Sequence, residues 1–308
     1  MKLSAVTSGV ARGPDRILMY GVGGCGKTTF FAEAPRPIFL DTQEGTTRLD
    51  VGRFPQPRTW EDVHDAVDEL LSTQHQYQSF IIDLLDDVEQ MLFASLCKRD
   101  GVASIGEYGG GYNKGFDAAL AEWRVLVAKL ERLQSERGML IGMVAHCTTK
   151  TIKNPEGEDY DRYTLLLAEK SHGFLRGWCD TVLLARHEVV LRTDRKKRTR
   201  GISTGARVIH TVETAAYVAK NRDNLPDTLP LDWTEFRAAI AVGAPASPEA
   251  VRAEIAELAQ QVDEATRAKV QEHVAASGED APRLARILNK LRERVQPQQS
   301  QQTQESTQ

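Results

Sequence analysis

Nowhere in the 308 residues does an apolar run approach the length of a membrane-spanning helix, which needs roughly 18 such residues. The stretch from Met1 to Arg16 also lacks the apolar core, about 7–15 residues long, of a secretory signal. Four scattered cysteines, Cys25, Cys97, Cys147 and Cys179, form no CxxC pair and no zinc-ligand spacing, so a disulfide scaffold is excluded and reduced thiols are expected. A basic excess is missing as well. With 39 Lys and Arg against 43 Asp and Glu, the net charge of −4 rules out a uniformly cationic nucleic-acid binder while leaving room for a local basic patch. No internal repeat is visible, which excludes a solenoid. These absences predict a cytoplasmic protein without membrane contact. Its length suits one large core with an appendage, or two domains.

What is present is an alternation of short apolar runs with helical patterns through the first 240 residues, the signature of an α/β fold with a mostly parallel central sheet. The expected strands are Ile17–Tyr20, Pro37–Asp41, Ser79–Asp83, Met139–Ala145 and Thr181–Ala185. A helix is expected over Glu61–Thr73, with Thr59 and Asp62 forming a capping box, and another over Ala118–Glu136. Glu188–Arg192 and Ala206–Val212 flank a charged turn and predict a hairpin at the sheet edge. The core is placed at residues 1–242. A linker follows at 243–248, with Ser247 as N-cap and Pro248 at the first helical position. Residues 249–295 form a small C-terminal helical appendage, in which Val251, Ile255, Leu258, Val262, Leu284, Ile287, Leu288 and Leu291 recur at helical spacing. The Gln-rich tail, 296–308, has nothing to bury and is expected to be disordered.

Gly21-Val-Gly-Gly-Cys-Gly-Lys-Thr28 fits GxxxxGK[ST] and lies between an apolar strand and a helix expected to begin near Lys27. Glycines at this spacing let backbone amides turn inward around phosphate oxygens. Lys27 neutralises the β- and γ-phosphates, and Thr28 offers a hydroxyl to Mg²⁺. The predicted nucleotide contacts are therefore Gly21, Gly23, Gly24, Cys25, Gly26, Lys27, Thr28 and Thr29, with ATP and Mg²⁺ as cofactors. Phe80-Ile-Ile-Asp83 supplies the expected second element, an apolar strand ending in a metal-binding carboxylate. Asp83 could instead cap the helix that follows, a role Asp86 or Asp87 could equally fill.

Three further stretches narrow the class. Phe39-Leu-Asp-Thr-Gln-Glu-Gly45 brings carboxylates to where a water-activating base could stand. His146 ends the strand Met139–Ala145 as a candidate γ-phosphate sensor. Ala219-Lys-Asn-Arg-Asp-Asn-Leu-Pro226 comes late in the core. Together with Asp50–Pro55, Thr59-Trp60, Pro155-Glu-Gly-Glu-Asp-Tyr-Asp-Arg-Tyr163 and Leu229–Trp233, these pieces resemble, in order over about residues 14–240, phage-encoded RecA-like ATPases of AAA type. That group includes single-strand annealing and recombination proteins.

The resemblance implies a RecA-like P-loop NTPase core, assembled as a homo-oligomeric ring or filament, that couples ATP to single-stranded DNA in the host cytoplasm if the protein is phage-encoded. A single-strand DNA-binding protein is a further possible partner. It also implies that Lys220 and Arg222 reach a neighbouring subunit's γ-phosphate as trans fingers. One departure stands out: Gln43 occupies the position where the family has glutamate. Glutamine orients water but accepts no proton, so Glu44 is assigned as the base or hydrolysis is slow. Strand alternation would put Asp41 and Gln43 on one side and Glu44 on the other.

By the same resemblance, two loops line a DNA path. They are Ser104–Phe116, with Tyr112 and Lys114, and Thr148–Tyr163, with Lys150, Lys153 and Arg162. Tyrosines among cations suit a single strand, since rings stack on any base and cations track phosphates. The run Arg192–Arg200, containing Arg195, Lys196, Lys197 and Arg198, is either a solvated hairpin tip or a phosphate-contacting patch. His172, His187 and His210 are too scattered for a metal. The leading expectation is a single-stranded-DNA-dependent ATPase. An ATP-switched annealing module with negligible hydrolysis is the alternative, followed by a ring-helicase-type motor and a P-loop small-molecule kinase.

Overall fold

Period-2 alternation in apolar runs buried on both faces is what builds the sheet here. The computed structural model describes residues 14–193, 199–243 and 248–277 together with Leu284, Ile287, Leu288 and Leu291. The predicted segments 1–13, 244–247 (with the Ser247 cap) and 296–308, as well as Arg195, Lys196, Lys197 and Arg198, lie outside the described residues.

The strands are β1 (Arg16–Gly21), β2 (Pro37–Asp41), β3 (Gly52–Arg53), β4 (Ser79–Asp83), β5 (Leu140–Ile152), β6 (Tyr160–Leu165), β7 (Thr181–Thr193), β8 (Thr199–His210) and β9 (Thr228–Pro230). They form one nine-stranded sheet of order β3-β2-β4-β5-β1-β7-β8-β9, with β6 on β5. From β3 to β7 every pairing is parallel, while β8, β9 and β6 add antiparallel. All five expected strands are present.

Successive residues of β1 feed opposite layers. Leu18 and Tyr20 pack with α2 (Trp60–Ser72), α3 (Leu85–Asp100), α4 (Lys114–Arg137) and α5 (Glu169–Trp178). Ile17 and Met19 pack with α1 (Lys27–Ala32) and α6 (Trp233–Gly243). The same division separates Phe80 and Ile82 from Ile81 on β4. Thr59 and Asp62 make the expected capping box at the start of α2. In the first layer Trp123 is fully buried, edge-on to Trp60 with ring centroids 5.5 Å apart. Full burial of such a side chain contributes on the order of 3 kcal/mol.

Three expectations are corrected. Thr181–Ala185 and Glu188–Arg192 belong to one strand, β7, whose register shifts between His187 and Val189 where the charged residues fall. The β7–β8 hairpin is not the sheet edge, because β9 pairs outside β8. Most of Thr148–Tyr163 is a ladder rather than a loop: β5 continues past the core to Ile152 and pairs with β6, Cys147 opposite Leu165 and Ile152 opposite Tyr160. Ser104–Phe116 keeps its irregular character up to Asn113, with a 3₁₀ turn at Tyr108–Gly110, and Lys114 begins α4.

The chain divides into two compact units, Met1–Ile240 and Ala241–Gln308. In the second, α7 (Pro248–Leu258) and α8 (Glu264–Ser277) accompany a small core of Ile255, Ala259, Leu284, Leu288 and Leu291. Arg267 ties the turn between these two helices by donating to the carbonyls of Ala259, Gln260 and Val262. Among the described residues no helix is long and apolar enough to cross a membrane.

Candidate nucleotide-binding site

β1 delivers the chain to the C-terminal edge of the sheet at Gly21, and α1 takes it back from Lys27. The intervening turn needs its glycines. A Cβ on Gly21 would lie 2.0 Å from the carbonyl oxygen of Ala185 on β7, and Gly26 has φ +107°, a conformation that side chains disfavour. Gly23 and Gly24 face open space, Cys25 is buried with its thiol toward the Ala185 carbonyl, and Thr29 is exposed. Burial pushes the Cys25 thiol above its ordinary range, so it is a packing residue here rather than a nucleophile.

Lys27 is buried and its ammonium donates to the carbonyls of Gly21 (3.0 Å) and Val22 (2.9 Å). The lysine thus spans the mouth of its own loop. Beside it, the Thr28 hydroxyl donates to Asp83 Oδ2 at 2.6 Å. β1 and β4 are not neighbours in the sheet; β5 lies between them, so this bond closes over the end of a strand. Asp83 is 4% exposed. Burial, the largest influence, raises its carboxyl to about 6; the Thr28 hydroxyl opposes this and the Asp41 charge adds to it.

Neither Asp83 nor its successors cap the next helix. α3 starts without a side-chain cap, and the two aspartates of its first turn reach elsewhere. Asp86 accepts from the backbone N–H of His146 (2.9 Å) and meets His146 Nδ1 at 2.8 Å. Asp87 Oδ2 accepts from the Thr42 hydroxyl (2.6 Å) and from Gln43 Nε2 (2.9 Å). Two residues further along, Glu89 Oε2 accepts from the Ala168 N–H at 2.8 Å. The sequence reading missed these roles of Asp86, Asp87 and Glu89. Two carboxylates three and four residues after Asp83 were the available signal, and their targets are too distant in sequence for spacing to reveal.

β2 ends at Asp41, so strand alternation does not extend to Gln43 and Glu44, correcting the expected side assignment. Burial works against ionisation of Asp41, but the Thr46 hydroxyl, the Thr46 N–H and the Gln43 N–H outweigh it and hold the carboxyl below its ordinary value. With its oxygens committed to this turn, Asp41 is a loop organiser. Glu44 sits at φ +58°, exposed, and its carboxylate has no hydrogen-bond partner among the described residues. Gly45 brings the turn back over the P-loop: a Cβ there would lie 3.9 Å from the Thr28 hydroxyl.

The remaining predicted residues lie apart from this cluster. Lys220 pairs with Val182 near the start of β7, and its ammonium donates to the carbonyls of Arg176 (3.1 Å), Gly177 (2.7 Å) and Cys179 (2.5 Å), closing the end of α5. Arg222 donates to Asp180 at 3.1 Å, a carboxylate that Arg16 also grips. Lys150 pairs with Glu169, Lys153 with Asp159 and Arg162 with Glu213, while Lys114 donates to the Gly109 carbonyl. Tyr112 is 94% exposed. His210 and His172 are packed, with burial lowering both below the ordinary histidine value.

The sequence pattern of the AAA domain family matches residues 14–223, the P-loop, Asp83, His146 and α3 included. The chain belongs to the AAA domain family. No curated protein matches it. For an AAA domain, a mostly parallel sheet with the GxxxxGKT turn at its C-terminal edge is a P-loop NTPase fold, and nucleotide binding with ATPase chemistry is the family's character. The donor set suits a magnesium nucleotide. Mg²⁺ is held by one or two protein oxygens plus phosphates and water, and the site offers the Thr28 hydroxyl and the Asp83 carboxylate within 2.6 Å of each other. Among the described residues no group of three or more His, Cys, Asp or Glu forms a metal cage.

Proposed function

We propose that this AAA domain binds ATP with Mg²⁺ at Gly21–Thr29, hydrolyses it slowly, and uses the cycle to control single-stranded DNA as a homo-oligomer built on a RecA-like core. The observation that carries the nucleotide half is the Thr28–Asp83 contact beside Lys27, with Gln43 and His146 fixed by carboxylates of one helix. Mg²⁺ held by the Thr28 hydroxyl and Asp83 would supply charge withdrawal from the phosphates.

The residues of the chain do the rest. Lys27 exchanges the Gly21 and Val22 carbonyls for phosphate oxygens. His146, held through Nδ1 by Asp86, keeps Nε2 for the γ-phosphate. Gln43, held by Asp87, orients the attacking water. Glu44 takes the proton of that water as its oxygen attacks the γ-phosphorus and the bond from that phosphorus to the β,γ-bridging oxygen breaks, so that ADP leaves with the bonding pair. Asp41 is saturated and an amide cannot accept a proton, which leaves Glu44 as the carboxylate of this turn with capacity to spare.

Support for the DNA half comes from the exposed rings of Tyr112 and Tyr163 and from cations of the same segments, Lys114 two residues after Tyr112 and Lys150, Lys153 and Arg162 on or beside the β5–β6 ladder that carries Tyr163. Lys150, Lys153 and Arg162 already face carboxylates, so a strand must displace Glu169, Asp159 and Glu213 to gain them. Binding of that kind is weak and strongly salt-dependent. Arg222, 56% exposed at its side chain, is the better candidate for a trans finger than the internally bonded Lys220.

A second reading, an ATP-switched annealing module with negligible turnover, is favoured by the amide at Gln43. One experiment separates them: ATP hydrolysis measured with and without single-stranded DNA for the wild type, Lys27→Ala and Glu44→Gln. The proposal expects DNA stimulation of the wild type and loss of turnover in both variants, with Glu44→Gln still binding ATP. Wild-type turnover that Glu44→Gln matches would refute Glu44 as base. No turnover at all, with ATP-dependent DNA binding intact, would establish the switch.

A further inference from the structure

The opposite flank of the P-loop carries a cation that the chemistry above leaves unused. Arg207 lies on β8, is exposed, and among the described residues its guanidinium has neither a hydrogen bond nor an ion pair. The arginine of the adjacent strand, which pairs with Val208 rather than with Arg207, is committed: Arg186 on β7 donates to His210 Nε2 at 2.9 Å and lies over the Tyr217 ring. Arg207 instead leans on the loop. A Cβ built on Gly26 would lie 3.0 Å from Arg207 Nη1 and 3.2 Å from Leu231 Cδ2, so the guanidinium is in contact range of P-loop backbone.

The sheet order says which end of a nucleotide this flank meets. β1 is central, with β5, β4 and β2 on one side and β7, β8 and β9 on the other. Gln43, Asp83 and His146 all belong to the β2–β4–β5 side. A triphosphate with its γ-end toward them must send its α-phosphate and nucleoside toward β7 and β8. A planar, permanently charged group with no competing carboxylate is suited to a phosphate there.

We infer that Arg207 is a second phosphate-binding cation of this site, supplied in cis from β8, which holds the α-phosphate while Lys27 holds the β- and γ-phosphates. The inference rests on the nucleotide reading above. Because ATP and ADP share the α-phosphate, Arg207 strengthens both alike, whereas the γ-end residues favour ATP.

The test is equilibrium binding of fluorescent ATP and ADP analogues to the full-length chain in the wild type, Arg207→Ala, Arg207→Lys, Lys27→Ala and, as a control, Arg132→Ala. Arg132 is an exposed α4 residue paired with Glu136. Arg207→Ala is expected to weaken both nucleotides by about tenfold, the scale of one charge-assisted hydrogen bond. Arg207→Lys should recover part of that loss, and Arg132→Ala should match the wild type. Thermal unfolding of each variant separates a binding loss from a folding loss, and at an exposed side chain no folding loss is expected. If Arg207→Ala binds both analogues within twofold of the wild type while Lys27→Ala does not bind, Arg207 is no ligand contact and the nucleotide reading stands. If the wild type binds neither analogue, the nucleotide reading fails and Arg207 falls with it.

Discussion

Replacing Asp83 by asparagine should make the nucleotide-free protein more stable at neutral pH while removing its response to magnesium nucleotide. Burial lifts the Asp83 carboxyl from its ordinary 3.8 to about 6, so the fold favours the protonated form. Below about pH 4 both folded and unfolded chains carry the proton, and the residue costs nothing. Between about 4 and 6 the unfolded chain releases the proton while the folded chain keeps it, and stability falls as pH rises. Above about 6 both states are ionised and the full cost remains, about 3 kcal/mol at ~1.4 kcal/mol per pH unit. At about pH 5 the same relation leaves roughly half of that cost. Asparagine carries no charge to desolvate and its oxygen can still accept from Thr28, though its amide hydrogens need new partners. A net gain of about 1–3 kcal/mol at pH 7.5 follows, or several degrees in midpoint for a unit of this size. The assay is thermal or denaturant unfolding without metal or nucleotide from about pH 5 to 8, repeated with Mg²⁺ and ATP. The variant's advantage should grow with pH, and only the wild type should gain from MgATP. An Asp83→Asn protein no more stable than the wild type at pH 7.5, with the same pH slope, would refute the view that this carboxylate is held at a cost for a cation.

Two packing predictions accompany it. Gly142 on β5 leaves no room for a methyl, since its Cβ would lie 2.6 Å from Ile81 Cδ1 and 2.7 Å from Phe31 Cε1; Gly142→Ala should therefore cost about 1–3 kcal/mol in unfolding experiments and weaken ATP binding by displacing α1. Lys220→Met should lose about 1–2 kcal/mol because three carbonyls at the end of α5 lose their donor. If Lys220 acts instead as a trans finger, that variant will keep its unfolding midpoint and lose ATP hydrolysis.

What sequence could disclose depended on the range of the interaction. Gly21–Thr28 and Asp83 were legible because each is a local pattern on a short apolar strand, and the Thr59–Asp62 cap spans only three residues. The hairpin of β5 and β6 was not. Cys147–Ile152 and Tyr160–Leu165 leave the layered core and pair with each other, so their polar alternation reads as loop until the partner is known. β7 was split in two because Arg186, His187 and Glu188 interrupt its apolar run, and a register shift there accommodates them. Lys220 illustrates the converse, a residue whose local pattern does not disclose its contacts. Its spacing to Arg222 suited a pattern, and the carbonyls it satisfies lie 41 to 44 residues away.

The start of α3 imposes a constraint of its own. Within seven residues, Asp83, Asp86, Asp87 and Glu89 fasten the P-loop threonine, the middle of β5, the turn after β2 and the entry to α5. Each helical residue advances the direction of its side chain by about 100°, so inserting a single residue between Asp83 and Asp86 would turn three of these attachments away together. The four segments consequently share one phase. Point substitutions can loosen them singly, but a change of length at this place disconnects the nucleotide end from everything it could command.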